Sequence, residues 1–223
     1  HVPLTLQAAR AGKHVLCEKP FSINAAEAEQ LREVAAKVHI MEAFMVRFHP
    51  QWQRVRELVT AGAVGTPRAV QVFFSYFNED AANIRNRADI GGGALYDIGC
   101  YAIVAGRMVF GGHPQRVVAL VDRDPALGTD RTSSALADFG EGRQLGFTVS
   151  TQAQRYQRVQ VVGTSGRIEV LIPFNAPQGE ATTILIDEGG ALDGSGVRAE
   201  TLPACDQYTL QGEAFSRAVR GEA

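Results

Sequence analysis

The first 46 residues alternate between helical and strand patterns, and this order constrains the fold more than any other feature of the chain. Residues 3–11 carry apolar side chains at helical spacing and are followed by Gly12, and residues 14–17 form a short apolar run. A second helix is predicted to begin after Asn24, which has a glutamate three residues on as a capping partner, and a second strand is predicted at 39–46. Strand, helix and strand in this order form a right-handed parallel crossover. The chain is therefore predicted to begin within a doubly wound α/β sheet.

Beyond residue 50 the pattern changes to many strands separated by short turns. Helices are predicted from Pro50, over 94–109 and over 207–220, and a strand with apolar side chains on both faces follows Pro67, so both of its faces are expected to be covered at least in part. Further strands are predicted at 116–121, 132–139, 145–151, 159–162, 168–172 and 182–186. Consecutive strands of this kind predict a large, mostly antiparallel open sheet flanked by helices on one face. The glycine-rich, acidic stretch 188–200 is predicted to be a mobile loop.

Composition narrows the classes of partner. The chain has 223 residues, 45% of them hydrophobic, and a formal net charge of −2, so it lacks the basic excess of a nucleic-acid-binding protein. No uninterrupted apolar run approaches the ~18 residues of a membrane helix, so no membrane partner is expected. The three scattered cysteines are typical of reduced thiols, which indicates a cytoplasmic location.

Two separate sites carry the residues best suited to chemistry. Lys19 stands directly after the first apolar strand, and Asp97 and Tyr101 stand four residues apart, just after three consecutive glycines. Residues four apart share one face of an α-helix. An ammonium lowers the cost of ionising a nearby phenol, which otherwise titrates near ~10, so a lysine and a tyrosine in one pocket form a usable acid/base. Taken alone, the same residues also fit a surface lysine, a helix-capping aspartate and a half-buried tyrosine.

Three motifs in the same order resemble one family of enzymes. They are AGKHVLCEKP at 11–20, EAFMVRFHP at 42–50, and NIR at 83–85 with GGGALYDIGCY at 91–101. Together they are similar to the glucose-fructose oxidoreductase and inositol dehydrogenase family, Gfo/Idh/MocA, in its branch of xylose dehydrogenases, dihydrodiol dehydrogenases and glucose-fructose oxidoreductase. The resemblance covers nearly the whole chain.

The resemblance implies an architecture of two domains. Residues 1–42 correspond to the C-terminal part of a dinucleotide-binding Rossmann domain, and 43–223 to an α+β domain for substrate binding and oligomerisation. Family members carry a glycine fingerprint in the first turn of the Rossmann domain, and the chain is expected to be a fragment that lacks it. The sequence GSGVRA at 194–199 matches the fingerprint, but it follows an acidic loop and is interpreted as a chance match.

The resemblance also implies an activity and residue roles. NADP or NAD exchanges hydride with a hydroxyl-bearing carbon of a sugar, polyol or diol, while Tyr101 acts as general acid/base, Lys19 assists it and Asp97 orients substrate hydroxyls. Glu18, Lys19 and Pro20 are expected beside the cofactor, with a cis bond before the proline. The residue that separates NAD from NADP is not in this sequence, although the branch leans toward NADP.

The remaining expectations concern further site residues, metal binding and the oligomeric state. Arg47 is assigned to the cofactor, and His49 and Arg85 join Asp97 and Tyr101 on the substrate side. No metal site is expected, because the histidines show no ligand spacing. The protein is expected to be a homodimer or a larger homo-oligomer. Two alternatives remain open on the same scaffold, a non-catalytic sugar- or dinucleotide-sensing regulator and an NAD-dependent glycoside hydrolase.

Overall fold

A computed structural model of the chain describes residues 1–190 and 192–222, and they form two compact units. The first unit contains His1–His49 and the residues from 206 onward, and the second contains Pro50–Cys205. These units differ from the domains expected from the sequence in two respects. The division falls at residue 49 rather than 42, and the C-terminal helix groups with the first unit because it packs against the turn Met45–Phe48.

The first unit contains the parallel crossover that the sequence predicts. Strand β1 pairs in parallel with β2, with Val15 opposite Ile40 and Glu18 opposite Ala43. Its helices bury a small apolar core formed by Val2, Leu6, Ala9, Leu31, Val34 and Val38. The elements are α1 (Val2–Arg10), β1 (Val15–Glu18), α2 (Ala25–Glu29), α3 (Arg32–Ala35) and β2 (Ile40–Ala43).

The helix that follows Asn24 differs from the prediction in its continuity. Asn24 caps it as expected, since its Oδ1 accepts from the Glu27 N–H at 2.8 Å, and Glu27 accepts in return from the Ile23 N–H at 2.8 Å. The single predicted helix is divided into α2 and α3. At the junction the Leu31 N–H bonds to the carbonyl of Ala28, three residues back, which tightens the turn and ends the regular α-helical pattern.

The second unit is an eight-stranded sheet with helices on one face, as predicted. The strand order is β10-β9-β8-β7-β3-β6-β5-β4. All neighbours are antiparallel except β3 and β6, which run parallel in the centre. The elements are α4 (Pro50–Thr60), β3 (Pro67–Phe77), α5 (Cys100–Phe110), β4 (Arg116–Arg123), β5 (Asp130–Asp138), β6 (Gln144–Ser150), β7 (Gln152–Gly163), β8 (Arg167–Val170), β9 (Thr182–Asp187) and β10 (Val197–Leu202); α6 (Gln207–Val219) returns to the first unit.

One strand, β7, begins well before its predicted start, and another, β10, forms where a loop was predicted. β7 begins at Gln152 rather than 159, because pairing with β3 holds its polar first half in the sheet despite the low strand propensity of those residues. β10 occupies part of the stretch predicted as a mobile loop, 188–200, so that prediction was wrong from residue 197 onward; residue 191 of the stretch lies outside the described residues. The sequence at 194–199 therefore leads from a turn into an edge strand, whereas the fingerprint leads into a helix.

The core of the second unit lies between the inner face of the sheet and α5. Val70, Val72 and Phe74 of β3 are buried beside Leu145, Phe147 and Val149 of β6. Burial of one large apolar side chain is worth about 1.5–3 kcal/mol, so these six side chains contribute substantially to the stability of the unit. Helix α5 approaches the sheet closely at Gly106, where a Cβ would lie 2.9 Å from Leu145 Cδ2.

The opposite face of the sheet is covered by no element among the described residues. We call this the outer face, and its exposed apolar side chains are Phe73, Val118, Leu120, Leu136, Tyr156 and Val162. Both faces of the strand after Pro67 were expected to be covered. Among the described residues, helices cover the inner face of the sheet and no element covers the outer face. A contiguous apolar sheet face of this kind commonly serves as an interaction surface.

One segment, Ala88–Phe110, is long and apolar enough to cross a membrane when judged by length and composition alone. Half of its most apolar window is buried inside the protein, as is usual for a core helix, which meets the same two conditions. The sequence did not predict this segment, because charged residues such as Asp97 and Arg107 interrupt its apolar run.

Candidate active site

Asp97 lies in a π-helical turn at the start of α5. The turn covers Leu95–Gly99, and within it the Cys100 N–H reaches back five residues to the carbonyl of Leu95. The sequence predicted one regular α-helix over 94–109, so this irregular first turn is a correction. Single π-turns within helices are frequent at functional sites. The irregularity therefore coincides with a residue that the sequence selects on other grounds.

The carboxylate of Asp97 is held at both of its oxygens. The Tyr76 hydroxyl donates to Oδ2 at 2.6 Å, and Nε of Arg85 donates to Oδ1 at 3.2 Å. The Asp97 side chain is only 12% exposed. Burial raises the pKa of Tyr76 well above its ordinary value, and the hydrogen bond and charge of Asp97 raise it further, so Tyr76 stays protonated as a donor.

Tyr76 is a site residue that the sequence reasoning missed. By alternation along the strand, Tyr76 counts as a fourth member of the apolar stripe formed by Val70, Val72 and Phe74 on β3. The available signal was the hydroxyl itself, because Tyr76 is the member of this inward-facing stripe that carries a polar group. A buried tyrosine hydroxyl usually has a hydrogen-bond partner, and here the partner is Asp97.

Tyr101 lies in the first turn of α5 and is 6% exposed. Its ring meets Phe74 edge-on at a centroid distance of 6.0 Å and Phe174 at 5.4 Å. Phe74 and Phe174 stack on each other at 4.9 Å. These contacts fix the orientation of the Tyr101 ring. Phe174 lies outside every predicted strand, so periodicity gave no signal for it.

The three glycines before this helix serve the chain's own backbone. The N–H groups of Gly92 and Gly93 donate to the carbonyls of Arg87 and Arg85, both at 2.8 Å. A Cβ at Gly92 would lie 2.6 Å from each of these carbonyl oxygens. The backbone of Arg85 and Arg87 thus lies close to Gly92, where a side chain has no room.

The start of the helix is capped from within the chain as well. Asp130 of β5 is buried, and its Oδ2 accepts from the Leu95 N–H at 2.8 Å and from the Ser133 hydroxyl at 2.7 Å. An acidic group is stabilising at this position. Asp130 therefore caps the start of the helix, and sequence spacing could not identify this partner.

Lys19 lies in the first unit, directly after β1. The Lys19–Pro20 peptide bond is cis, as the resemblance implied. The Lys19 N–H donates to Oε2 of Glu18 at 3.2 Å, and the Phe21 N–H donates to Oε1 of Glu42 at 2.7 Å. Glu42 is thus a second missed residue, which ties the end of β2 to the loop after β1.

The remaining predicted site residues have different environments. Strand β2 ends at Ala43 rather than 46, so Arg47 stands exposed in a 3-10 turn and His49 follows that turn, fully buried. Burial lowers the pKa of His49, which favours its neutral form. Arg85 forms the ion pair with Asp97 and is 48% exposed. In the described part of the chain, no three histidine, cysteine or acidic side chains cluster as metal ligands would.

The site residues therefore fall into two groups, one in each unit. Glu18, Lys19 and Pro20 are consecutive in the first unit, and Tyr76, Arg85, Asp97 and Tyr101 belong to the second. The first group lies at the carboxyl ends of the parallel strands β1 and β2. In doubly wound sheets a dinucleotide binds along this edge.

Comparison with known proteins gives the class of protein to which this fold and these residues belong. Residues 1–48 match the family model described as an oxidoreductase family with an NAD-binding Rossmann fold. Residues 52–169 match the GFO/IDH/MocA C-terminal domain. The chain belongs to the GFO/IDH/MocA family of oxidoreductases, as the motifs indicated.

Among curated proteins, the chain is 42% identical to the uncharacterized oxidoreductase ORF334 of Rhizobium meliloti, over 99% of the chain and 66% of that protein. It is 37% identical to a D-xylose 1-dehydrogenase (NADP(+)) of Haloferax volcanii, over 98% of the chain and 66% of that protein. The chain thus spans about two thirds of the length of these relatives. Among solved structures, KijD10, a 3-ketoreductase of Actinomadura kijaniata in complex with NADP and TDP-benzene, superposes with a TM-score of 0.89 at 29% identity, covering 100% of this chain and 67% of that one.

Proposed function

We propose that the protein is an NADP- or NAD-dependent oxidoreductase that transfers hydride to or from a hydroxyl-bearing carbon of a sugar or related polyol or diol. The observation that carries the proposal is the arrangement at the start of α5. An acidic side chain held at both oxygens, Asp97, lies four residues before a buried tyrosine, Tyr101, in a chain whose first 48 residues match an NAD-binding fold.

Each proposed site residue has a separate role. The chemistry that a bound nicotinamide supplies is hydride transfer to or from the carbinol carbon. In the oxidative direction, the Tyr101 oxygen takes the proton of the substrate hydroxyl as the C–H hydride leaves and the carbonyl forms; in reduction it returns that proton. Lys19 is proposed to favour the ionised form of the Tyr101 phenol, since a nearby cation stabilises a phenolate. Asp97 is proposed to accept hydrogen bonds from neighbouring substrate hydroxyls.

The relatives support this cofactor and substrate class. The Haloferax volcanii protein is named for D-xylose and NADP(+), and the Actinomadura kijaniata structure contains NADP. Solved variants of that 3-ketoreductase carry a tyrosine changed to phenylalanine or a lysine changed to alanine or glutamate. We therefore propose NADP as the first cofactor to test, with Glu18, Lys19, Pro20 and Arg47 on the cofactor side and His49 on the substrate side.

The proposed function is tested with the protein expressed from its complete reading frame. Aldoses, cyclic polyols and vicinal diols are each supplied with NADP or NAD, and reduction of the nicotinamide is followed by its absorbance. We expect net reduction with at least one sugar and preference for NADP. Absence of net reduction across the panel, or release of free sugar from glycosides without net redox change, contradicts the proposal and favours the regulator or the glycoside hydrolase.

We further propose that the outer face of the sheet joins two copies of the chain. The sheet region involved spans five adjacent strands, and four of them, β4, β5, β3 and β7, supply its exposed apolar residues. An exposed apolar area of this extent favours self-association. Val118 points to the outer face and is 72% exposed, whereas its neighbour Val117 points to the other side of β4 and is 58% exposed.

This adjacency provides a matched pair of variants. We expect Val118→Glu to convert the protein from dimer or larger oligomer to monomer, because it places a charge on the outer face, while Val117→Glu leaves the oligomer intact. Light scattering coupled to size-exclusion chromatography measures both masses. A monomeric wild type, or equal behaviour of the two variants, excludes the outer face as the interface.

A further inference from the structure

Two side chains from different elements converge on the carboxylate of Asp97. Tyr76, near the end of β3, reaches Oδ2, and Arg85, in the 3-10 turn Ile84–Asn86, reaches Oδ1. We propose that Tyr76 and Arg85 are positioning residues, which hold the Asp97 carboxylate in the orientation in which it receives the substrate. This inference rests on the proposed function, because it concerns the site that the function uses.

The physical need for such support follows from the side chain itself. The terminal torsion of an aspartate is broad and roughly two-fold, so an unsupported carboxylate rotates among many orientations. Donors on different oxygens remove that freedom, and an ionised donor such as Arg85 forms the stronger kind of hydrogen bond. An ionised carboxylate has about four acceptor positions, and the bonds from Tyr76 and Arg85 use two of them.

The two donors differ in how firmly they are themselves held. The Tyr76 ring is partly buried at the end of a central strand, and its phenol remains protonated, since burial and the carboxylate of Asp97 both raise its pKa while Arg85 lowers it by a smaller amount. The Arg85 side chain is about half exposed, and exposed ion pairs contribute little. Tyr76 is therefore the principal support, and Arg85 is the secondary one.

Strand β3 contacts both Asp97 and Tyr101. Phe74 and Tyr76 lie on the same face of β3, two residues apart, which corresponds to about 7 Å along a strand. Phe74 contacts the Tyr101 ring and Tyr76 contacts Asp97. One rigid strand therefore contacts both Asp97 and Tyr101 and holds the two side chains together.

The first test is Tyr76→Phe, which removes one hydroxyl and keeps the ring. In the full-length enzyme with NADP and its best sugar, we expect kcat/KM for the sugar to fall roughly 10- to 100-fold, because displacement of a positioning group by about 1 Å can cost ~10²-fold. The KM for NADP should stay within about two-fold, since Asp97 is assigned to the substrate. Tyr208→Phe, which removes a hydroxyl from a half-exposed ring on α6, serves as the control and should match the wild type. Equal kinetics of the two variants overturns the proposal.

A double-mutant cycle tests whether Tyr76 acts through Asp97. If it does, adding Tyr76→Phe to an Asp97→Ala enzyme should change kcat/KM by less than about two-fold, because the group to be positioned is already gone. Arg85→Gln should follow the same rule with a smaller loss in the wild-type background. A full-sized loss in the Asp97→Ala background shows that Tyr76 acts elsewhere and overturns the assignment.

Crystal structures separate this inference from the proposed function. In Tyr76→Phe we expect the Asp97 carboxylate to turn by more than about 30° from its wild-type orientation, whether or not a substrate is known. An unmoved carboxylate contradicts the positioning role. If the wild type is inactive with every sugar and both cofactors, the proposed function is wrong. If the Asp97 carboxylate nevertheless turns in Tyr76→Phe, the structural role of Tyr76 is still supported.

Discussion

Tyr101→Phe is expected to lower kcat by roughly 10²- to 10⁴-fold, the usual contribution of a positioned proton-transfer group. Phenylalanine fills the same space against Phe74 and Phe174, so the packing around the ring is retained and only the hydroxyl is lost. The dissociation constant for NADP, measured by fluorescence titration, should stay within about two-fold. Steady-state kinetics with the best sugar gives the turnover.

The control for this variant is again Tyr208→Phe, which should turn over like the wild type. Thermal melting of Tyr101→Phe should show a loss of no more than about 1–2 kcal/mol, the cost of one buried hydrogen bond. A variant that retains more than a tenth of wild-type turnover would falsify the assignment of Tyr101 as the proton carrier.

Lys19→Ala tests the other half of the same assignment. If Lys19 favours the ionised Tyr101 phenol, its loss should lower kcat for sugar oxidation and move the acidic limb of the pH–rate profile to higher pH, because the phenol then needs a higher pH to ionise and act as the base. Full turnover in this variant requires that the paired role of Lys19 and Tyr101 be abandoned, although the family assignment stands.

The second large effect concerns stability, at Gly93. Its φ is +115°, a conformation that side chains rarely adopt, and a Cβ there would overlap the carboxylate of Asp130. We expect Gly93→Ala to destabilise the protein by about 2–4 kcal/mol, from backbone strain and displacement of the Asp130 cap together. The apparent melting temperature should fall by roughly 5–15 °C in differential scanning calorimetry.

Gly112→Ala serves as the control that separates the overlap with Asp130 from the backbone strain of a positive φ. Gly112 also has a positive φ, of 60°, but nothing lies within 4 Å of the Cβ that it would gain. Its substitution should therefore cost only the left-handed strain of about 1–2 kcal/mol. If both variants melt at the same temperature, Gly93 and Asp130 do not have the close approach described here.

The sequence predicted the elements whose signals are local. The parallel crossover, the Asn24 cap and most strands of the open sheet follow from periodicity and capping residues, and the structure confirms them. The features that it missed depend on distant partners. β10 is polar and short, and it becomes a strand because β9 is available beside it.

In the candidate site, too, the sequence did not reveal the residues that act on distant partners. Lys19, Asp97 and Tyr101 were selected from motifs, and their roles remain predictions. Tyr76 and Asp130 were not selected, because each acts on a residue 21 or 35 positions away, a distance at which sequence spacing carries no geometric information. The glycine triplet was selected from its motif, and the structure shows that Gly92 lies close to nearby backbone and Gly93 close to Asp130.

The central position of β3 has a consequence for the order in which the protein is made. β3 is complete at Phe77, yet its two neighbours, β6 and β7, are not synthesised until residues 144 to 163. During translation both edges of β3 therefore remain unpaired until about seventy more residues have left the ribosome. Pairings between such distant segments form slowly and leave nascent strands open to aggregation. Chaperones that bind extended apolar segments should accordingly engage the growing chain before residue 163 emerges.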